Sequence, residues 1–541
     1  MKTVSGNYVD IFNQKIFKAE LQISKGKIIK VVPRETVDNV FLIPGLIDSH
    51  VHIESSMLVP SEFAKLAVQH GTVSVVTDPH EIANVCGVEG VDYMIRNGET
   101  VPLKFYFGAP SCVPATSFET SGFGIDSSEV HYLLSRDDVF FLAEMMNFPG
   151  VVYDDSEVVS KIEFAKRYNK PIDGHAPGLS GDDLNKYANA GVSTDHECMT
   201  IEEAEEKIKL GMKIQIREGS AAKNFDALSA LIDLYPGEIM LCTDDCHPDN
   251  LMVGHVDAII KKGIEKGLDV FNLIKAATIV PVEHYGIDSG LLREGDSADI
   301  VAVDNLTDFN VLKTYINGEL VCDDKDVKFN SEHVELINNF VENIVSIEDI
   351  CVTAESEKIN VIEVLDGELL TFKKIIDATV ENGLVISDTD KDVLKIIVQN
   401  RYEKVKPVIG FIKNFGLKKG AIAGSIAHDS HNLIAIGVED SDLVTAINAI
   451  QKSKGGISVC DNGNVELLEL PVAGLMSDKG GFNVAREYHA LDEKVKELGC
   501  SLKAPFMTMA FMSLLVIPEF KIGDKGLFDG VNFKFDSLFV K

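Results

Sequence analysis

Short apolar runs separated by amphipathic stretches organise the chain from residue 43 to about residue 280. Eight such runs are readable, at 41–47, 72–77, 103–108, 139–143, 171–174, 192–195, 213–217 and 238–243. Their lengths and flanking polar residues are those of buried strands. Helix-period patterns lie between them at 60–70, 158–169, 180–190, 201–211 and 225–234. Buried strands alternating with helices predict a parallel βα array, closed as a (β/α)₈ TIM-like barrel. An open doubly wound sheet is the competing arrangement, and it would not gather all eight strand ends round one mouth.

The pattern differs on both flanks. Residues 1–42 read as short alternating strands at 10–12, 18–23 and 26–32, and strands return at 298–303, 311–316 and 319–321. Asn317-Gly318 between two of these is a hairpin signal. The two flanks are expected to join in one small β-domain, 1–42 plus 281–330, around a catalytic barrel at 43–280. A polar, acidic connector at 323–333 then leads to a third, mixed α/β domain at 335–541. Its Met-rich run at 507–512 is expected to pack in a core.

Composition narrows the class. The net charge is −33, from 51 basic and 84 acidic residues, which argues against a nucleic-acid partner held through clustered Lys and Arg. The longest apolar stretch, 507–517, is short of the roughly 20 residues of a membrane span. The N-terminus lacks the apolar core of a signal peptide. Nine cysteines stand without a C-x-x-C pair, so neither a disulfide framework nor a thiolate zinc site is expected. A soluble cytoplasmic protein is the expectation.

The C-terminal ends of barrel strands carry the chemistry in this architecture. The first run delivers His50 and His52, which strand alternation puts on one side. The fourth ends in Glu144, and the fifth and sixth are followed by His175 and His196. The eighth is followed by Asp244. A lone carboxylate such as Glu144 at the end of an apolar strand is costly to bury without positive charge beside it. Two divalent cations bridged by its oxygens would supply that charge, and a buried salt bridge is the alternative. The six residues together form a two-metal set that suits Mn, Fe or Zn. Such a site acidifies bound water and polarises the atom under attack. Asp244 would accept the water proton and pass it on; its alternatives are a ligand without a proton role and a helix N-cap.

At this point the chain resembles a family. An HxH pair, a strand-four carboxylate, two single histidines and a strand-eight Asp form the amidohydrolase superfamily pattern. Pro44-Gly45-Leu46-Ile47-Asp48-Ser49-His50-Val51-His52-Ile53-Glu54-Ser55-Ser56, Thr77-Asp78-Pro79-His80-Glu81, Asp173-Gly174-His175-Ala176-Pro177-Gly178, Thr194-Asp195-His196-Glu197 and Cys242-Thr243-Asp244-Asp245 resemble the bacterial and archaeal adenine deaminases. Ile426-Ala427-His428-Asp429-Ser430-His431-Asn432 does so too, in a C-terminal domain that most amidohydrolases lack. The resemblance implies hydrolytic deamination of adenine to hypoxanthine and ammonia in purine salvage, with activated water attacking C6. It implies a binuclear centre, manganese ahead of iron or zinc, with Glu144 where many relatives carry a modified Lys. That residue separates the deaminase branch from hydrolases of cyclic amides, the runner-up reading. Another 6-substituted purine is the alternative substrate, and a homo-oligomer, dimer or larger, is expected.

Other ionisable groups carry more than one reading. Glu197 is a candidate proton donor to the base, and His80, Glu81 and Glu218 are candidate substrate contacts or partners of metal-bound imidazoles. His247 is either ligand-facing or a loop residue. His428 and His431 would bind a metal, close a loop over the barrel mouth, or stabilise a turn. His70, His131, His255, His284, His333 and His489 are treated as background.

Overall fold

The computed structural model describes residues 1–332 and 334–540; the background histidine His333 falls outside them. Eight parallel strands form the central element. These are β1 (Leu46–Val51), β2 (Thr72–Thr77), β3 (Lys104–Ala109), β4 (Val139–Met145), β5 (Ile172–Gly174), β6 (Thr194–Asp195), β7 (Lys213–Arg217) and β8 (Ile239–Cys242). β1 to β5 pair in order, as do β6 to β8. The two arcs meet where Ser193 N donates to Ile172 O at 2.9 Å. The ring closes where Val51 bridges Asp244 in parallel and Asp244 N donates to His50 O at 2.9 Å. This is the barrel that the apolar runs predict.

The strands are buried along nearly their whole length because helices cover them outside and side chains fill them inside. Ile47, Val76, Phe141 and Met240, from four different strands, pack at the closed end with Tyr285 of the helix Ile279–Tyr285. That end is a packed plug. Asp173 accepts hydrogen bonds from Tyr285 Oη at 2.8 Å and Thr194 Oγ1 at 3.0 Å just above it.

The first apolar run does not form one strand. Phe41–Pro44 lies in the flanking sheet and Leu46–Val51 in the barrel. Gly45 makes the transfer, and a Cβ there would stand 2.3 Å from Val73 Cγ2. Side-chain size at one position thus decides the hand-over.

The flanking sheet has eight strands drawn from both sides of the barrel. Its order is Asp326–Val327, Glu319–Asp323, Val311–Ile316, Ile300–Val303, Phe41–Pro44, Lys2–Asp10, Lys15–Ser24 and Lys27–Pro33. Asn317 and Gly318 both take positive φ and turn the expected hairpin. Two sequence readings shift here. Ile11 and Phe12 lie in a turn closed by Asn13 N donating to Asp10 Oδ1 at 3.0 Å, and the strand precedes it. The presumed connector contributes the short strand Asp326–Val327.

The C-terminal region carries a second eight-stranded sheet, ordered Thr371–Asp377, Lys358–Val364, Val408–Lys413, Val393–Gln399, Leu433–Gly437, Ala421–Gly424, Gly456–Asp461 and Asn464–Glu469. The helix Asp440–Ser453 packs on it through Leu443, Ala446, Ile447 and Ile450. Met507, Met509 and Met512 are buried, as a core role requires. This region docks on the barrel mouth. Ser477 N donates to Met57 O at 2.9 Å, and Gly481 N to Glu62 Oε2 at 2.8 Å.

Candidate metal centre

Six side chains from five strand ends converge at the mouth. Glu144 addresses different neighbours with its two oxygens. Oε1 stands 3.3 Å from His52 Nε2, and Oε2 stands 2.8 Å from His175 Nδ1 and 3.2 Å from His196 Nε2. Asp244 Oδ1 lies 3.3 Å from His52 Nε2 and 3.5 Å from His50 Nε2. A register shift between Asp48 and Val51 re-aims the end of β1, a use bulges have beside active sites. Asp244 itself takes φ +55°, a left-handed backbone that a non-glycine residue adopts only when its surroundings hold it. His50 O and His52 N provide that hold, one accepting from and one donating to its backbone.

The donor set fits divalent ions. Atoms about 2.0–2.1 Å from a shared ion stand roughly 3.0–3.4 Å apart, close to the spacings seen here. Both ring nitrogens of His50 and Nδ1 of His196 are buried without a hydrogen-bond partner among the described residues. His52 Nδ1 donates to Asp78 O at 3.1 Å, which orients Nε2 toward Glu144 and Asp244. Burial alone would push both carboxyls up. His175, His196 and His52 hold Glu144 well below the usual range, and Arg217, His50 and His52 do the same for Asp244. Burial pushes the His52 imidazole down, yet Asp244 and Glu144 outweigh it and raise it well above its ordinary value. The oxygens demand positive charge at this spot. Asp78 and His80 extend the group, with His80 Nδ1 3.1 Å from Asp78 Oδ2 and 3.5 Å from Glu144 Oε1.

Buried polar pairs beneath fix these side chains. Asp48 accepts from Thr243 N at 3.1 Å and pairs with His255 Nε2 at 2.9 Å, tying β1 to the end of β8. Lys207 Nζ, fully buried, pairs with Asp195 Oδ2 at 3.1 Å and donates to Ala176 O at 2.8 Å. That joins the loops carrying His175 and His196.

The site opens through Met146, Glu197, Arg217, Ala222, Leu369 and Val516 into a cavity of about 1100 Å³. Arg217 is the residue that sequence reading passed over. Its Nη2 donates to Glu197 Oε2 at 3.0 Å, and Nη1 contacts Glu197 Oε1 and lies 2.6 Å from Asp244 Oδ2. Burial would raise the Glu197 carboxyl, but Arg217 and the neighbouring imidazoles hold it below its ordinary value.

The amidohydrolase family model matches residues 41–321, and the adenine deaminase C-terminal domain model matches residues 368–534. An adenine deaminase of Methanosarcina mazei is 54% identical, covering 100% of both chains. One from Sulfurovum sp. is 51% identical over 98% of each, and one from Borreliella burgdorferi 46% identical over 98% of each. The chain belongs to the adenine deaminase family. The family's C-terminal domain is the part that closes the site: Leu369, His428, Asp429, Phe511, Leu514 and Val516 line the same pocket as His52, Glu144, His175, His196 and Asp244.

Glu81 joins this domain to the barrel. Its Oε1 lies 2.6 Å from His428 Nδ1, and its Oε2 receives His431 Nε2. Burial pushes His428 down, but Glu81 outweighs it and brings it up to about 9; burial leaves His431 at about 4. His431 Nδ1 accepts from Ala427 N at 3.4 Å, so this neutral imidazole donates through Nε2. The loop thus reaches over the mouth of its own chain. His80 and Glu81 both line the pocket, with His80 Nε2 3.6 Å from Glu81 Oε1.

Glu218 stands elsewhere. Gln215 and Arg217 point into the barrel, so the residue that directly follows β7 points out. Glu218 lies 3.1 Å from Lys262 Nζ and 3.7 Å from Lys223 Nζ. His247 Nδ1 pairs with Tyr488 Oη at 2.5 Å, a second seam to the C-terminal domain. Among the background histidines, His70 pairs with Asp257, His131 with Tyr168, and His284 lies near Ser193. His489 is exposed.

Proposed function

We propose that this chain hydrolyses adenine to hypoxanthine and ammonia. The observation that carries the reading is Glu144 with its two oxygens toward three imidazoles, in a chain matching adenine deaminases end to end. His50, His52, Glu144, His175, His196 and Asp244 would hold two divalent ions, manganese ahead of iron or zinc. When bound, such ions make water acidic enough to yield hydroxide near neutral pH and polarise C6 of the base.

Asp244 Oδ1 is the assigned proton acceptor, placed between His50 and His52. It takes a proton from the attacking water as the C6–O bond forms, and returns it to the amino nitrogen as the C6–N bond breaks. Glu197, gripped by Arg217 and open to the pocket, is assigned the proton path to the ring. Held as a carboxylate, it must first accept a proton, and the second proton of the attacking water is the one that it delivers to a ring nitrogen. His80 and Glu81 are assigned to the substrate-facing wall. The balance is adenine plus water giving hypoxanthine plus ammonia.

Residues 43–280 are assigned as the catalytic domain, 1–42 with 281–330 as the small β-domain, and 335–541 as the C-terminal domain. A cytoplasmic homo-oligomer serving purine salvage completes the reading. The deciding experiment measures ammonia from adenine with manganese-loaded protein, beside a cyclic amide such as dihydroorotate. About two equivalents of metal without turnover of adenine would overturn it.

A further inference from the structure

Asp429 is buried, with 3% of its surface exposed, and lines the pocket that holds the metal-type cluster. Its Oδ2 has no hydrogen-bond partner among the described residues, and its Oδ1 lies 3.9 Å from His428 Nδ1, beyond hydrogen-bond reach. The neighbouring acceptor is committed, since Glu81 spends one oxygen on His428 and the other on His431. Those two contacts fix the loop on either side of Asp429. Tyr402 Oη adds a third anchor, donating to Ser430 O at 2.6 Å. A buried carboxylate oxygen without a donor is costly unless a ligand brings one.

The rest of this wall is apolar. Phe511, Leu514, Val516 and Leu369 face the cluster, a surface suited to the faces of a planar heteroaromatic ring. On the adenine reading, on which this inference rests, the base has two places that donate. The amino group leaves at Asp244. The other donor is the single N–H of the five-membered ring. We propose that Asp429 accepts that ring N–H, so that the C-terminal domain selects the free base against 9-substituted purines, which lack it.

The test compares wild type, Asp429→Asn and Asp429→Ser, each loaded with manganese, on adenine and on 9-methyladenine. Loss of a hydrogen bond to a charged group is expected to raise KM for adenine about 10- to 100-fold. kcat should stay within a few-fold and metal content should stay unchanged. The preference for adenine over 9-methyladenine should shrink by the same factor, because a site built around a donor rejects the analogue without it. Equal weakening on both substrates, or an unchanged KM, overturns the proposal. So does loss of a further equivalent of metal in the variants, which would make Asp429 a ligand. Should the variants fail to fold, competitive inhibition of wild type decides: hypoxanthine must bind at least tenfold tighter than 9-methylhypoxanthine, and equal binding overturns the assignment. Failure of wild type to release ammonia from adenine is a separate result, which removes the functional reading itself.

Discussion

Arg217 and Glu197 form a two-pronged ion pair in the wall between the metal-type cluster and the larger cavity, with Nη2 to Oε2 at 3.0 Å. The same guanidinium reaches Asp244 Oδ2 at 2.6 Å, so one cation organises both carboxylates assigned to proton transfer.

Removing that cation leaves two buried carboxylates unsupported. Arg217→Met is expected to cost about 3–5 kcal/mol of stability, the penalty of breaking a buried pair from one side. The double variant Arg217→Met with Glu197→Leu should recover part of the stability and none of the turnover. Thermal melting and ammonia release check both halves. For Glu197→Gln, turnover within a few-fold of wild type would take Glu197 out of the proton path.

His52→Ala removes an imidazole shared between Glu144 and Asp244. The expected result is loss of about one metal equivalent and a fall in turnover of about a thousandfold or more, several kcal/mol of charge stabilisation. His50→Ala should behave alike. Metal analysis beside the ammonia assay reads this, and wild-type values in both variants would dismiss the centre.

The Glu81 clamp predicts a graded effect. His431→Ala leaves one Glu81 oxygen without its donor and should lower kcat/KM about 10- to 100-fold, the cost of a buried charged group left unpaired on the substrate-facing wall. His431→Gln, which keeps an N–H donor, should restore most of it. Equal loss in both variants would mean that the imidazole only fills space.

Lys521 supplies a pH signature from behind the apolar wall of the pocket. Its ammonium is fully buried, donates to Leu369 O at 2.7 Å and Phe511 O at 3.2 Å, and is pushed down to about 7 by burial. Between pH 7 and the ordinary lysine value, the unfolded chain holds a proton that the folded chain does not. Stability therefore rises with pH across that window and is lowest below pH 7. The shift corresponds to something on the order of 3–5 kcal/mol. Melting temperatures at pH 6, 8 and 10 should show the slope in wild type and lose it in Lys521→Met.

The barrel was legible because parallel strands buried on both faces read as plain apolar runs, and because ionisable residues interrupt those runs where the mouth begins. The same signal misled at 41–47, where two strands in different sheets are separated by one glycine and no break in hydropathy. At β7 a usable signal existed. Gln215 is a polar residue within a buried strand, and counting by two from it selects Arg217 over Glu218 as the inward residue. The partnership of Glu81 with His428 and His431 had no such signal. Some 350 positions separate Glu81 from His431, and only the docking of the C-terminal region on the barrel creates the contact.

The flanking sheet imposes an order on synthesis. Phe41–Pro44 leaves the ribosome early, with Lys2–Asp10 already available on one side. Its other side is filled by Ile300–Val303, which emerges only after all eight barrel strands. Until then the nascent chain carries an open strand edge beside a closing barrel, the kind of edge that recruits other chains. Chains that stall or are cut before residue 300 should therefore aggregate through that edge, and it is the short strand delivered after the barrel that seals it.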